Sequence, residues 1–438
     1  MVLNDFLATT GRLGVALVLL LAYPLFKVIY NLYFHPLAPI PGPRSWSASH
    51  FPFVWALLKG TIVHDIEKVH RRYGPILRIA PDEVTFSKAE AWADIFQIRP
   101  DHQQFLKDPI WWKRRPDQPD SLLTAIDPEL HARILKLLTP AFTPRALRAQ
   151  EPIVQRYVSL LIVRLHERVS EAEDGKGVEI DIAPWFNYTT FDIFGDLGFG
   201  ESFDCLQHSR YHPWIALLLN SVKAASFVAA ARFYPLGGIL VHKVCASVAQ
   251  EDTGGLLPAD CGQGAASLNW ELERPDIMSH VINKNGEIGL PIGEINATFM
   301  ILTTAGSETT AAVLCDKLAI LEKETPVSIQ AYSLNRDPTY FHSASSFLPE
   351  CWLPEASTDP NSPSFHDERR AVQPFSVGPR ACMGQHIAWA EMRLVLAKLL
   401  WTFDFEAIEG KKLKWEELRT FLLVEKKPLE MWMKLRSI

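Results

Sequence analysis

The sequence predicts a mainly helical protein with a small β-sheet, built as one large domain behind a single N-terminal membrane-spanning helix. Three observations predict it. Leu13 to Phe34 form an almost continuous apolar run. Behind it, long stretches carry apolar residues at helical spacing and are cut by prolines. Only short runs, such as Ile76–Ala80 and Glu83–Phe86, read as strands.

Residues 1–12 read as a short tail and 13–34 as the span. Twenty-two residues at 1.5 Å rise reach roughly 33 Å, enough for a hydrocarbon core. Pro24 is tolerable in lipid, and Tyr23, Tyr30 and Tyr33 gather where an interfacial aromatic belt would sit. A cleaved signal peptide is the competing reading, but the run is too long for one and lacks a small-residue cleavage site. Four prolines in His35–Pro43 make residues 35–46 a stiff, extended hinge. The remaining 47–438 read as the large domain.

Within that domain Glu67–Tyr73 reads as a helix end, and the two short strands turn at Pro81-Asp82. Pro128–His166 is helical with breaks at Pro140 and Pro144, and 181–199 carries a helical apolar stripe. Residues 237–268, rich in Gly and Ala and without a lasting period, read as a loop or as sequence foreign to the fold. Ile292 to about Leu321 predicts one helix of some thirty residues.

Composition narrows the function. The chain has 44 Lys and Arg against 50 Asp and Glu, a net charge of -6. Without a clustered basic face it is not expected to bind nucleic acid. Six cysteines are scattered and none forms C-x-x-C, so neither a zinc ribbon nor a disulfide framework is indicated. Free cysteines fit a reducing compartment, which makes the sequons at Asn187 and Asn296 chance matches.

Two segments carry chemistry. The first is Ala305-Gly306-Ser307-Glu308-Thr309-Thr310, a polar notch in an apolar helix. Gly306 costs that helix about 1 kcal/mol relative to Ala, and the buried polar groups cost more unless satisfied. One explanation is a kink with hydroxyls bonding back to their own carbonyls. The other is a groove where a ligand approaches Gly306, with Glu308 and Thr309 relaying protons.

The second segment is Phe375-Ser376-Val377-Gly378-Pro379-Arg380-Ala381-Cys382-Met383-Gly384, with the pattern F-x-x-G-x-R-x-C-x-G. Five fixed positions match by chance in roughly one chain of this length in ten thousand. A helix follows directly, its apolar face reading Ile387, Ala390, Leu394, Ala397 and Trp401. Cys382 thus stands at a helix N-terminus, where the macrodipole and free N–H groups favour a thiolate. A buried setting is expected for the sulfur, and glycines at 378 and 384 let a ligand approach the backbone.

Here the chain resembles the cytochromes P450, in particular the membrane-bound eukaryotic kind and the fungal members that tailor secondary metabolites. The stretches 78–87, 131–143 and 194–203 carry the likeness further. The resemblance implies a single haem domain with haem b, its iron bound axially by Cys382. A thiolate ligand pushes electron density toward bound oxygen and favours O–O cleavage. It also implies that Phe375 packs under the loop, that Arg380 pairs with a haem propionate, and that His131 belongs to the cofactor-binding set. Glu308 and Thr309 then form the proton-delivering pair, with Gly306 leaving room for dioxygen. The implied partners are NADPH-cytochrome P450 reductase, dioxygen, a small apolar substrate and the endoplasmic reticulum membrane, the haem domain facing the cytosol. Variable walls of the substrate pocket fall near 102–124 and 205–235, with Trp111, Trp112 and Phe227 as candidates or plain core.

The chain also departs from the family. The Glu-x-x-Arg pair between the oxygen-binding helix and the cysteine loop is missing, and the sequence runs almost straight from that helix into Thr325–Ile329, which resembles a later strand. The deletion falls near 315–327. The Pro-Glu-Arg motif reads Pro349-Glu350-Cys351, and the usual propionate-contacting Arg is Leu135. Two readings follow: a working monooxygenase, or a degenerate, catalytically incompetent relative arising from gene decay or mis-splicing.

Overall fold

A computed structural model describes residues 22–100, 104–114, 118–172, 177–234, 277, 290–309, 320–321, 325–411 and 413–436. Residues 13–21 of the expected span at 13–34 and all of the unusual 237–268 stretch lie outside them.

In chain order the helices are α1 (Arg44–Ala48), α2 (Phe51–Lys59), α3 (Ile62–Tyr73), α4 (Ala91–Phe96), α5 (Pro109–Trp112), α6 (Pro128–Leu138), α7 (Pro144–Ser170), α8 (Ala183–Phe199), α9 (Cys205–His208), α10 (Pro213–Arg232), α11 (Ile292–Thr309), α12 (Ala331–Leu334), α13 (Pro354–Thr358) and α14 (Gln385–Thr402). The strands are β1 (Ile76–Arg78), β2 (Val84–Phe86), β3 (Val178–Asp181), β4 (Ile320–Leu321), β5 (Thr325–Ile329), β6 (Phe403–Ala407) and β7 (Glu430–Leu435). Helix dominates, as expected. The chain groups into two compact units: Met1–Phe105 with Cys315–Gln373, and Leu106–Leu314 with Pro374–Ile438.

The first unit is built on the sheet β1-β2-β5-β4. β1 and β2 form the predicted hairpin, with Leu77 opposite Thr85. β5 lies parallel to β2, with Val84 opposite Val327. Leu77, Ile79, Val84, Val327 and Ile329 are buried, as are Ile62, Val63 and Ile66 on α3. The proline-rich 35–46 segment is tied to β1. Residues 44–48 are helical, and the Pro41 carbonyl accepts the Arg78 N–H at 2.8 Å. The reason is Arg78, whose side chain is fully buried and donates to the carbonyls of Asn31 and Pro81. A Cβ at Gly42 would lie 2.4 Å from the Arg78 carbonyl oxygen, so only glycine admits this approach. Residues 22–29 are helical and continue into a π-helical turn, Tyr30–Phe34. Among the described residues no helix is long and apolar enough to cross a membrane.

The second unit is a bundle of α7, α8, α11 and α14 beside the sheet β3-β7-β6. Its core includes Val158, Leu161, Leu165, Phe191, Ile193, Leu197, Phe299, Phe403 and Met433. The proline breaks fall where predicted. α6 ends at Leu138, a 3-10 turn covers Thr139–Phe142, and Thr143 caps α7 by accepting the Ala146 N–H at 3.3 Å. Asp196 is buried, ion-paired with Arg156, and accepts the Tyr157 hydroxyl at 2.7 Å. Burial first, and this bond next, push the Tyr157 phenol up to about 12. Asn187 is buried in α8, its amide donating to the Tyr211 hydroxyl at 2.8 Å, so that sequon is closed to a glycan in the folded chain.

The long helix is shorter than predicted at its C-terminal end, since Ile320–Leu321 is a strand paired with β5. Its polar notch packs on α8. Thr190 donates its hydroxyl to the Ser307 carbonyl at 3.3 Å, while a Cβ at Gly306 would stand 2.1 Å from the Phe194 ring. Thr303 and Thr304 bond back to the carbonyls of Phe299 and Met300 at 2.9 and 2.7 Å. Gly306→Ala therefore forces the helices apart and should cost about 1–3 kcal/mol of stability. Phe194→Leu in the same chain should recover part of that loss. Urea midpoints of the two single variants and the double variant check the coupling; strictly additive losses would contradict it.

Candidate active site

The cysteine loop is closed by two backbone hydrogen bonds. Cys382 N–H reaches the Phe375 carbonyl at 2.8 Å, and Ala381 N–H reaches Gly378 at 3.0 Å. To make this turn the chain adopts left-handed conformations at Ser376 (φ 59) and Gly378 (φ 80). Glycine does so freely, whereas a serine pays of order 1 kcal/mol, a strain the surrounding loop has to hold. Phe375 packs against Trp389 on α14, with ring centroids 5.9 Å apart, so the loop is stapled to the helix it precedes. Gly384 is the N-cap of α14, and its carbonyl accepts the Ala388 N–H at 3.0 Å.

Cys382 lies two residues before that cap, and its side chain is exposed from the protein's own atoms. A Cβ at Gly384 would meet Cys382 Sγ at 3.9 Å and Ile387 Cγ2 at 3.7 Å, both ordinary contacts. No protein atom therefore demands glycine there, and the backbone beside the sulfur is clear for a flat ligand.

The predicted apolar face of α14 is also corrected. Ile387 and Leu399 are buried, but Trp401 is 73% exposed, and Ala390 and Ala397 are exposed. The buried face is rotated by roughly a quarter turn, at 100° per residue, and brings Glu391 into the core at 1% exposure.

Arg380 lies near enough to His131 for its charge to act on the imidazole. Arg380 donates to the carbonyls of Ala125 and Ile126 at 2.8 and 3.0 Å, and its buried Nε has no hydrogen-bond partner among protein groups. Asp127 caps α6 through the Glu129 N–H at 3.0 Å and places His131 one turn into the helix, buried. Burial, then the charges of Arg380 and Lys107, push the His131 imidazole down to about 4. It is therefore neutral at pH 7. Among the described ion pairs none involves Arg380 or His131. The sequence reading missed Lys107, which is 3% exposed, donates to the Leu123 carbonyl and lies 4.7 Å from the Trp112 ring centroid. Its only sequence signal is its place between Phe105-Leu106 and the helix-capping Asp108.

Glu308 and Thr309 form the end of α11, and their side chains lie outside the described residues. Gly306 has a packing reason for its identity in Phe194. Phe227 is partly exposed and stacks on Phe421 with centroids 6.1 Å apart, and Trp111 meets Phe233 edge-on at 6.5 Å.

A cysteine held on a strained loop at a helix start, near a buried arginine with an unpartnered Nε, suits an anionic, planar, metal-bearing cofactor. The residues fit haem: Arg380 Nε is an orphaned donor for a propionate, and the Gly384 backbone leaves the sulfur's flank open. The arrangement defines the haem-thiolate class. Comparison with known proteins places the chain within it. The family described as Cytochrome P450 matches residues 41–323 and 319–432. The chain is 33% identical to the cytochrome P450 monooxygenase lcsI of Purpureocillium lilacinum, covering 96% of this chain and 94% of that one. It is 32% identical to an averantin hydroxylase of Dothistroma septosporum (99% and 92%) and 33% identical to a trichothecene C-4 hydroxylase of Trichoderma arundinaceum (93% and 94%). The chain belongs to the cytochrome P450 family, and its fungal relatives are monooxygenases of secondary-metabolite type.

The match also breaks in two, the pieces meeting at 319–323, inside the interval where the deletion was expected. The comparison with the averantin hydroxylase runs over 515 residues although this chain has 438. Relatives thus carry residues that this chain lacks.

Proposed function

We propose that the chain is a haem-thiolate monooxygenase that hydroxylates or otherwise oxidises a small apolar molecule in a fungal secondary-metabolite pathway. It takes electrons from NADPH through the membrane-bound reductase. The single observation carrying this reading is Cys382, presented on a closed loop at the start of α14 next to Arg380 and His131. Haem b, when bound, supplies the activation of dioxygen. Cys382 would ligate its iron, while Phe375 and Gly378 keep the loop in the shape that presents the sulfur. Arg380 and neutral His131 would donate to its carboxylates and fix its edge, and Gly384 would leave its flank clear. Glu308 and Thr309 would hold and pass protons on the oxygen side, beside Gly306.

A membrane location at the endoplasmic reticulum, with the haem unit on the cytosolic side, completes the proposal. Its support is the apolar 13–34 run and the exposure of Tyr23, Leu25, Phe26, Tyr33 and Phe34 at that run's end. Arg78 ties the last turn of that segment to β1 through the Asn31 carbonyl at 2.9 Å.

One observation favours a second reading, an incompetent relative. The family match breaks at 319–323, in the interval where the resemblance puts the missing Glu-x-x-Arg pair, and Cys351 stands where the family's arginine partner belongs. Arg369 holds part of that region from within, donating to the carbonyls of Cys351, Ser364 and Asp367. The reduced, carbon-monoxide-bound difference spectrum of the purified full chain decides between the readings. A Soret band of thiolate type is expected for the enzyme; its absence from folded chain would establish the relic.

A further inference from the structure

The first unit holds a cleft of ≈ 250 Å³ where α3 packs against α12 and the turn that follows it. His70 and Ser333 line it, and each is only 6% exposed. His70 Nδ1 lies 2.9 Å from the Gly74 carbonyl oxygen. A carbonyl only accepts, so Nδ1 carries the ring proton and Nε2 of the neutral ring is a bare acceptor. Burial, more than any neighbour, holds the imidazole below its ordinary value, so the ring is neutral at pH 7. Nε2 is buried and has no hydrogen-bond partner among protein groups, and the same holds for Ser333 Oγ. Buried polar atoms are ordinarily paired, and each one left unpaired costs stability until something bonds it.

The wall around these two atoms is rich in acceptors. Glu67 lines the cleft with its side chain mostly buried, and Asp337 lies near enough for its charge to act on the imidazole. The hydrogen bonds to the Asp337 carboxylate, from the Thr339 N–H at 2.8 Å and its hydroxyl at 2.7 Å, both fall on Oδ1. The two arginines of the cleft have other partners. Arg71 is largely exposed and pairs with Glu67, and the Arg336 guanidinium lies 3.8 Å from the Tyr332 ring centroid. An imidazole lone pair, a hydroxyl and carboxylate oxygens suit a cation that carries several N–H donors. Among the described residues no three His, Cys, Asp or Glu side chains are placed to hold a metal ion, so the cation that fits is molecular.

We infer that this cleft binds the primary ammonium group of a small molecule, with His70 Nε2 and Ser333 Oγ as its acceptors and Glu67 and Asp337 as its counter-charge. Water is the competing occupant, but it brings two donors and no charge to an acidic wall. The inference does not rest on the haem reading, since the cleft belongs to the first unit and Cys382 to the second.

The test is a nuclear magnetic resonance titration of the purified full chain, labelled with 15N at histidine. The His70 signals are assigned by their loss in His70→Gln. Ethylammonium chloride is the probe, and tetramethylammonium chloride, with the same charge and no N–H donor, is its control. The His70 Nε2 signal should move and saturate with ethylammonium and stay in place with tetramethylammonium. Ser333→Ala should weaken ethylammonium binding by about three- to tenfold, the scale of one hydrogen bond. An equal response to both salts would reduce the effect to ionic strength and overturn the inference. Absence of a saturable shift would mean that the cleft holds water alone, and an unchanged affinity in Ser333→Ala would remove the ammonium from this pair. Circular dichroism checks the fold of each variant, and the comparison of the two salts on the original chain needs no variant. Vesicles of phosphatidylethanolamine, run beside phosphatidylcholine, tell a lipid headgroup from a free amine as the source of the ammonium.

Discussion

Serine at position 382 is expected to abolish the thiolate-type visible spectrum and to strip the purified chain of stoichiometric iron, with the fold left intact. The argument for the second half comes from geometry. The Cys382 side chain is exposed, and the loop is closed by its backbone N–H on Phe375, which a serine keeps. Exchanging sulfur for oxygen there should change stability by less than about 0.5 kcal/mol. The first half comes from acid–base chemistry. A thiol with an ordinary pKa near 8.5 becomes an anion at a helix start, whereas an alcohol does not ionise at neutral pH. Iron analysis, the carbon-monoxide spectrum and circular dichroism together read the outcome. Unchanged iron content and spectrum would remove the basis of the functional reading. Loss of the fold along with the spectrum would show that the loop needs the sulfur for a reason outside this geometry.

How much of this was legible in the sequence depends on whether the cause was local. The β1–β2 hairpin, the break between α6 and α7, and the start of α14 follow from prolines, glycines and periodicity within a few residues. The cysteine loop was legible for the same reason, because Gly378 and Cys382 fall at fixed spacing from Phe375. Contacts between distant segments were not. The parallel pairing of β2 with β5 joins residues such as Val84 and Val327, and no pattern in either strand names its partner. Arg380 meeting the carbonyls of Ala125 and Ile126 is of the same kind. Lys107 was missed because lysine is ordinarily a surface residue, and its burial is decided by a loop 16 residues away. The phase of α14 was misread because apolar residues surround that helix on more than one side: Trp389, Leu396, Leu400 and Trp401 are all exposed. Counting only apolar positions chose the wrong face and hid the carboxyl that shares the right one.

That carboxyl gives the second large effect. Glu391 lies on the buried stripe of α14 between Ile387 and Leu399, and neither of its oxygens has a hydrogen-bond partner among protein groups. Burial alone pushes its pKa up to about 8, and no neighbouring charge contributes. In the unfolded chain Glu391 ionises near 4.5, so between that pH and about 8 the folded state holds a proton that the unfolded state has lost. Stability therefore falls as pH rises through this window and levels off above it, the reverse of an ion-paired carboxylate. The shift corresponds to a cost on the order of 4–5 kcal/mol at pH 8 and little at pH 5, at 1.36 kcal/mol per unit. Glu391→Gln keeps the shape and removes the titration. Its stability relative to the original chain should accordingly climb by about 3–4 kcal/mol between pH 5 and pH 8, whatever its offset at pH 5. Denaturant midpoints at four pH values measure this directly. Parallel curves for the two chains would mean that Glu391 is ionised and satisfied in the folded protein, and that α14 does not bury the face described here.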